Sequence, residues 1–500
     1  MNIREEIHPI PVAQSGKLDL PWVSYNLTLE EKREFCRWLR AVKVPTGFSS
    51  NMKSIVSMKD LTLTNFNAHD CHTMLTVFLP IVIQTISPEY VKMVITRLCY
   101  FFSQITQKVI VQAELPALRE FIAETICQLE MCFPPSFFDI MPHLMMHLVD
   151  QIQELGPVYF HQMWTYERFM STLNRYVLNR AHPEGSMIEA YTTEEAVNCC
   201  TTYLRDGNAI GLPAHPHKGR TAGMGCVGSK VRTDIDQETV EDAHLGVLSQ
   251  LVSMEKWVDK HLDEIRRGAP GRTEGYALRE HKKNFTEWIK EQDIPTHANT
   301  EESKLAHGPS SQITTWQGFD INGYRFHTKD KDTKSASQNS GVRYEGIDER
   351  TKQIKTYYGQ IEEIWELDYG DDLQIPIFRC KWVKSNAVVV DDYGLITVDL
   401  ASVGFQDDEW VLANRVAQVA YFAKPNTKRH VVVSGKQRIV GADGIETPEG
   451  YNNYAELSLF TDHPNKIKNV ETRLSRTAMK PWFRPDGEKK TVAAPAKKDV

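Results

Sequence analysis

The chain has 500 residues, 25% of them charged and 41% hydrophobic, with a net charge of −7 and a pI near 6.2. That length is too great for one core and predicts two or three domains, while the balance of charged and apolar residues excludes wholesale disorder. The negative charge excludes a generally basic coat for nucleic acid, so any contact with DNA has to rest on local basic stretches.

The N-terminal segment, residues 1–60, is polar and mixed. It carries one helix signal in "LTLEEKREFCRWLRAVKVP", where Thr28 stands three residues before Glu31 as in a capping box. Residues 61–205 read as a helical domain. From 71 to 153 the apolar period is helical throughout, and three of its four runs ("PEYVKMVI", "PALREFIA", "PPSFFDIM") open with proline, which the first turn of a helix tolerates. Helices resume at 166–180, followed by a Pro-Glu-Gly turn, and at 192–205, where threonines precede paired glutamates.

Residues 206–236 are rich in Gly, His, Lys and Arg without a period and read as an exposed basic linker. Helices follow over about 237–267 and about 277–291, and a polar linker closes this stretch at 312. From 313 to 445 the pattern changes to period two with aromatic and β-branched residues, as in "IPIFRCKWV" and "VAQVAYFA", which predicts a small antiparallel sheet or barrel. Residues 446–500 read as a C-terminal tail. The fold class expected is α+β: a mostly helical N-terminal region, then a β-rich domain.

Nine cysteines, at 36, 71, 99, 127, 132, 199, 200, 226 and 380, include no C-x-x-C pair. Neither a zinc ribbon nor a disulfide framework is indicated, and a reducing compartment fits. "MNIREEIHPI" lacks a basic-then-apolar leader and no run of about 18 apolar residues occurs, so a nuclear or cytosolic protein without membrane contact is expected.

Three groups of residues have the chemistry of a site. His69, Asp70, Cys71 and His72 crowd the entry to an apolar helix, but neighbours in sequence cannot all reach one ion, and a cap by Asp70 beside a buried Cys71 is preferred. His143, His147, Asp150 and Glu154 form one stripe, but the Glu of H-E-x-x-H is missing, so a polar face is preferred. Glu167, beside Arg168 at the head of a helix, is comfortable there electrostatically without any function. For DNA, Lys218, Arg220, Lys230 and Arg232 in a Gly-rich loop offer phosphate contacts. The aromatics Tyr357, Tyr358 and Trp365 read as core rather than as a base-stacking platform.

Longer stretches carry a resemblance. "AHDCH" at 68–72, "FPPSFFDIM" at 133–141, "GPVY" at 156–159, "WTYERFM" at 164–170 and "NRAHPEGSMIEAY" at 179–191 resemble the C-terminal part of plant CACTA (En/Spm-type) transposases. So do "DINGYRFHT" at 320–328, "QNSGV" at 338–342, "YYGQIEEIWELDYG" at 357–370 and "IPIFRCKWV" at 375–383. The resemblance implies two modules catalogued as domains of unknown function, downstream of an RNase H-like core in which three acids hold two Mg²⁺ ions for phosphoryl transfer on DNA. It makes the helical region the tail and insertion of that core.

By analogy with hAT-type transposases, where a Glu–Arg pair opens a late helix, the resemblance nominates Glu167 as a catalytic metal ligand and Arg168 as its neighbour near the scissile phosphate. The other two acids are expected outside this sequence, so a protein unable to cut DNA alone is expected. The implied partners are DNA at transposon ends, a full-length transposase or chromatin proteins, and the implied location is the nucleus. The competing expectation is a non-catalytic module that binds DNA, chromatin or another protein.

Overall fold

The computed structural model describes residues 10–11, 17–20, 26–46, 48, 52–86, 89–161, 163–203, 223–292, 300–347, 353–370, 373–405, 408–437, 458–461 and 490–493. The first helix, α1 (Leu29–Ala41), starts where the sequence places it. The Thr28 hydroxyl accepts the Glu31 N–H (3.2 Å) and the Glu31 carboxylate accepts the Thr28 N–H (2.9 Å), so two otherwise orphaned donors are satisfied. Next, α2 (Ala68–Thr73) runs through a π turn (Met74–Phe78) into Leu79–Val82. After it come α3 (Glu89–Ile105), α4 (Leu115–Cys132), α5 (Ile140–Leu155), α6 (Trp164–Arg175) and α7 (Pro183–Tyr203). The expected Pro-Glu-Gly turn is the first turn of α7, with Pro183 as its opening residue, where the missing N–H costs nothing.

The strands of the second half begin earlier than expected. Within the stretch read as a linker, β1 (Met224–Val227) and β2 (Lys230–Arg232) are strands. Then come α8 (Gln237–Leu248), α9 (Glu255–Gly268), α10 (Glu274–Lys290) and α11 (Glu301–His307), the last lying where a polar linker was expected. The remaining strands are β3 (Ile313–Trp316), β4 (Gly318–Ile321), β5 (Tyr324–His327), β6 (Gly341–Ile347), β7 (Ile354–Asp368), β8 (Gln374–Val383) and β9 (Val388–Val390). They are followed by β10 (Ile396–Val398), β11 (Val403–Gly404), β12 (Trp410–Leu412), β13 (Val416–Ala423) and β14 (His430–Ser434).

Every pairing in this half is antiparallel. The main sheet runs β9-β10-β14-β13-β6-β7-β8-β11, with β12 also on β8 and with β3, followed by β2, on β7; a smaller sheet is ordered β1-β4-β5. The expected α+β organisation, a helical N-terminal region followed by an antiparallel β-rich region, is the one observed. Gly-rich text hid β1 and β2 because their pairing partners, β4 and β3, lie some ninety residues further along.

Local chemistry explains why these segments meet. Asn322 and Gly323 both have positive φ (51° and 76°), the backbone of a two-residue hairpin that Asn-Gly favours. It sets Asp320 opposite Arg325, whose guanidinium donates two bonds to the carboxylate (2.8 and 2.7 Å). Trp365 and Tyr358 are buried in the sheet, at 1% and 5% exposure, and Tyr357 is half-buried. Alternation in β7 therefore marked the core correctly.

The helices do not stand apart from the sheet. Phe78, fully buried, stacks on Phe422 of β13 with ring centres 5.9 Å apart. Trp38 of α1 donates its indole N–H to the Ala423 carbonyl (2.7 Å). On another face α8, α10 and α11 pack Val247, Phe285, Ile289 and Leu305 against Trp365, Ile377 and Leu412. Gly246 lets Trp410 approach α8, since a Cβ there would lie 2.8 Å from that of Trp410. The Gln250 amide then brackets β12, donating to the Trp410 carbonyl and accepting the Leu412 N–H, both at 3.0 Å.

Candidate functional site

Glu167 sits in the first turn of α6 with its side chain exposed, and its backbone N–H donates to the Met163 carbonyl (2.9 Å). No group of three His, Cys, Asp or Glu side chains able to hold a metal occurs among the described residues. A two-ion Mg²⁺ centre needs several oxygen ligands converging from distant points, so the described residues do not fit one around Glu167. The Arg168 side chain lies outside the described residues.

Around Glu167 the surface is apolar. Phe160, Met163, Tyr166, Phe169 and Met170 are all exposed, as are Ile188 and Val197 on α7. Among the described side chains of α6 and α7 none is buried. Tyr176, just past the end of α6, ties to α7 by donating its hydroxyl to the Glu194 carboxylate.

The other two clusters resolve into structural roles. Asn67 caps α2, and Asp70 is the third residue of that capping box: Asp70 N–H reaches Asn67 Oδ1 at 2.7 Å and Asn67 N–H reaches Asp70 Oδ2 at 3.3 Å. The expected Asp70 cap is thus a return bond to the true cap, and Cys71, expected to be buried, is exposed; the buried apolar side chains are Met74 and Phe78 of the π turn that follows α2. On α5, His143 and His147 are exposed and touch each other (Nε2 to Nε2, 3.2 Å), while Asp150 pairs with Arg119 (3.3 Å). The buried face of that helix is Pro142, Met145, Val149 and Ile152.

Of the basic residues proposed for DNA, Lys218 and Arg220 lie outside the described residues. Lys230 is exposed on β2. Arg232 donates to both oxygens of Asp234 (3.1 and 3.3 Å) and lies 3.7 Å from Glu363. Its hydrogen bond holds Asp234 below the usual carboxylate range. Glu363 in turn accepts from Arg379 (3.0 Å), which also donates to Glu409 (2.7 Å). This chain of alternating charges ties β2 to β7, β8 and the segment before β12, and it matches the Arg232 charge internally.

Sequence reasoning missed the polar interior. Asn339, fully buried, accepts the Thr46 N–H (2.8 Å) and donates to the Thr46 hydroxyl (3.0 Å), while Asp332 Oδ2 accepts the N–H groups of Asn339 and Ser340, both at 2.7 Å. This knot is where "QNSGV" does its structural work. Four buried histidines were missed as well: His244, His261, His281 and His327. For His261 and His281 the signal was present, because Trp257 and His261, like His281 and Phe285, stand four apart and so share a helix face. Burial first and Asp320 second push the Cys226 thiol up to about 11, which favours the protonated form.

Two family models match the chain. Residues 105–210, from the end of α3 through α7, match a Domain of unknown function (DUF4218). Residues 365–433, from mid-β7 into β14, match a Domain of unknown function (DUF4216). The pair is typical of plant transposase-like proteins. No curated protein and no solved structure matches the chain. Among the described residues no helix is long and apolar enough to cross a membrane.

Proposed function

We propose that the chain is a transposase-derived protein of the CACTA (En/Spm) type, located in the nucleus, which binds rather than cuts. The observation carrying this reading is the co-occurrence of the two matched domains with a Glu167 that belongs to no group of three metal-ligating side chains among the described residues. One carboxylate cannot organise a two-metal centre. Any strand cleavage involving Glu167 therefore draws its other acids from another polypeptide or from residues beyond those described. The test is nicking of supercoiled plasmid by this chain with Mg²⁺ or Mn²⁺. No nicking is expected, and nicking that disappears in Glu167→Gln would overturn the reading.

A protein or chromatin partner is favoured over bare DNA by two features. The apolar side chains exposed on α5, α6 and α7 have the character of a docking face, and Arg232, one of the basic side chains nominated for phosphate, is already matched by Asp234 and Glu363. DNA binding at low salt that weakens steeply as salt rises would instead favour the transposon-end reading.

A further inference from the structure

Trp257 on α9 and Trp288 on α10 face each other at the surface, with ring centres 6.4 Å apart and planes inclined by 66°. Each indole N–H is fastened to a carboxylate. Trp257 Nε1 donates to Glu302 Oε2 (3.2 Å) and Trp288 Nε1 to Glu264 Oε2 (2.9 Å). The plane of Trp288 is set from beneath by Phe285, stacked at 5.9 Å, and by His261 at 4.6 Å. Both tryptophans are half-buried, so part of each ring reaches solvent.

The space between the rings already attracts a cation. Lys260 Nζ stands 5.2 Å from the centre of Trp257 and 5.4 Å from that of Trp288, and it donates to Gln292 Oε1 (2.8 Å). Lys256 Nζ lies 5.6 Å from the centre of Trp257 and pairs with Glu302 (2.7 Å). Both lysines are exposed. Over residues 237–307 the sequence has fourteen acidic and ten basic side chains, so the surroundings also favour positive charge.

We propose that Trp257 and Trp288 form a cage for the Nε-trimethylated lysine side chain of a peptide, with Lys260 standing in for that ligand in the free protein. Two indoles, the strongest of the aromatic cation acceptors, already hold one ammonium, that of Lys260, within the range of a cation–π contact to both ring centres. A primary ammonium keeps much of its hydration, whereas a trimethylated one is larger, softer and weakly hydrated, so it gains more from the same two faces. A choline headgroup carries the same cation, but a phosphate is attached to it, and the acidic excess over residues 237–307 disfavours that negative charge, which favours the peptide. The site lies outside both matched domains and does not rest on the transposase reading.

The experiment titrates the full chain with a short glycine-flanked trimethyllysine peptide, following indole fluorescence and the indole N–H resonances. Its comparisons are the unmethylated peptide, the uncharged isostere with a tert-butyl head, and phosphocholine. The trimethylated peptide is expected to bind about tenfold tighter than either peptide control. Trp288→Ala and Trp257→Ala should abolish binding. Lys260→Gln, an exposed change that leaves the core intact, should strengthen it several-fold by removing the internal competitor, and this arm stands even where a tryptophan variant fails to fold. Equal binding of the isostere, preference for phosphocholine, or a Lys260→Gln affinity no tighter than that of the parent chain would overturn the proposal.

Discussion

His261 and His281 meet between α9 and α10 with their Nδ1 atoms 2.9 Å apart, one imidazole donating to the other, and both rings buried. Such a bond requires that at least one ring be neutral. Burial enforces it: desolvation first, with His261 and Lys282 adding to it, pulls His281 down to about 4. His261 is lowered too, again by burial, with Glu264 opposing. Nearby, His244 places Nδ1 at 2.9 Å from the Tyr369 hydroxyl and is likewise pulled to about 4, by burial and then Lys290.

Stability should therefore depend on pH over a defined window. In the unfolded chain these rings titrate near the ordinary histidine value of about 6.5, above their folded values, so on acidification the unfolded state takes up protons first. The stability that His244 and His281 contribute is complete above about 6.5 and is lost as pH falls toward 4. Each is expected to account for about 3 kcal/mol over that interval. Urea unfolding at pH 7.5 and pH 5 should read about 2 kcal/mol of that per ring, and equal stabilities at the two values would contradict the assignment.

The Asn339 knot predicts a second loss. Asn339→Leu would leave the Thr46 N–H without its acceptor (2.8 Å in the native chain) and remove the bond to the Thr46 hydroxyl. Beside it, Gln338 N–H donates to the Val44 carbonyl (3.1 Å), so residues 44–46 are clasped by the 338–339 turn. A cost of about 3 kcal/mol is expected. Limited proteolysis should show new cleavage near residues 44–48, because that is the segment released.

How much of this was legible follows from the range of each interaction. The Thr28 capping box and the helical run from α3 to α5 were readable because each is fixed by residues within a few positions, and the burial of Trp365 because a large aromatic in an alternating strand belongs to the core whichever element covers it. The strand at 230–232 was not, since its partner β3 begins at Ile313 and pattern alone carries no pairing. The joint between Phe78 and Phe422 was invisible for the same reason. So was the His261–His281 contact, which depends on how two helices are rotated against each other. The candidate site was legible only as residue types: sequence does not show that Arg232 meets Asp234 and Glu363, or that the side chains near Glu167 in α6 are apolar and exposed.

The helix-to-sheet joint gives a third prediction. Phe78 is fully buried and stacks on Phe422, while Trp38 meets the same ring edge-on at 6.5 Å. Phe78→Ala should destabilise the chain by about 3 to 5 kcal/mol through lost burial and the cavity left behind. Trp38→Phe should cost less, about 1 kcal/mol, since it mainly removes the indole bond to the Ala423 carbonyl. If the helices and sheet unfold as one body, near- and far-ultraviolet signals should report a single shifted transition in both variants; separate transitions would show that the joint does not couple them.

Glu167 gives the sharpest contrast between a ligand and a surface carboxylate. An exposed residue in the first turn of α6 contributes a favourable interaction with the helix N-terminus, worth a few tenths of a kcal/mol. Glu167→Gln should therefore change stability by no more than about 0.5 kcal/mol. A divalent ion bound in the folded state only would add RT ln(1 + [L]/Kd), about 2.7 kcal/mol at a hundredfold excess over Kd. Millimolar Mg²⁺ is expected to leave the melting temperature of the chain unchanged, and equally so in the Gln variant. A Mg²⁺-induced rise present in the parent and absent in Glu167→Gln would place a metal at this carboxylate and require further oxygen ligands from outside the described residues.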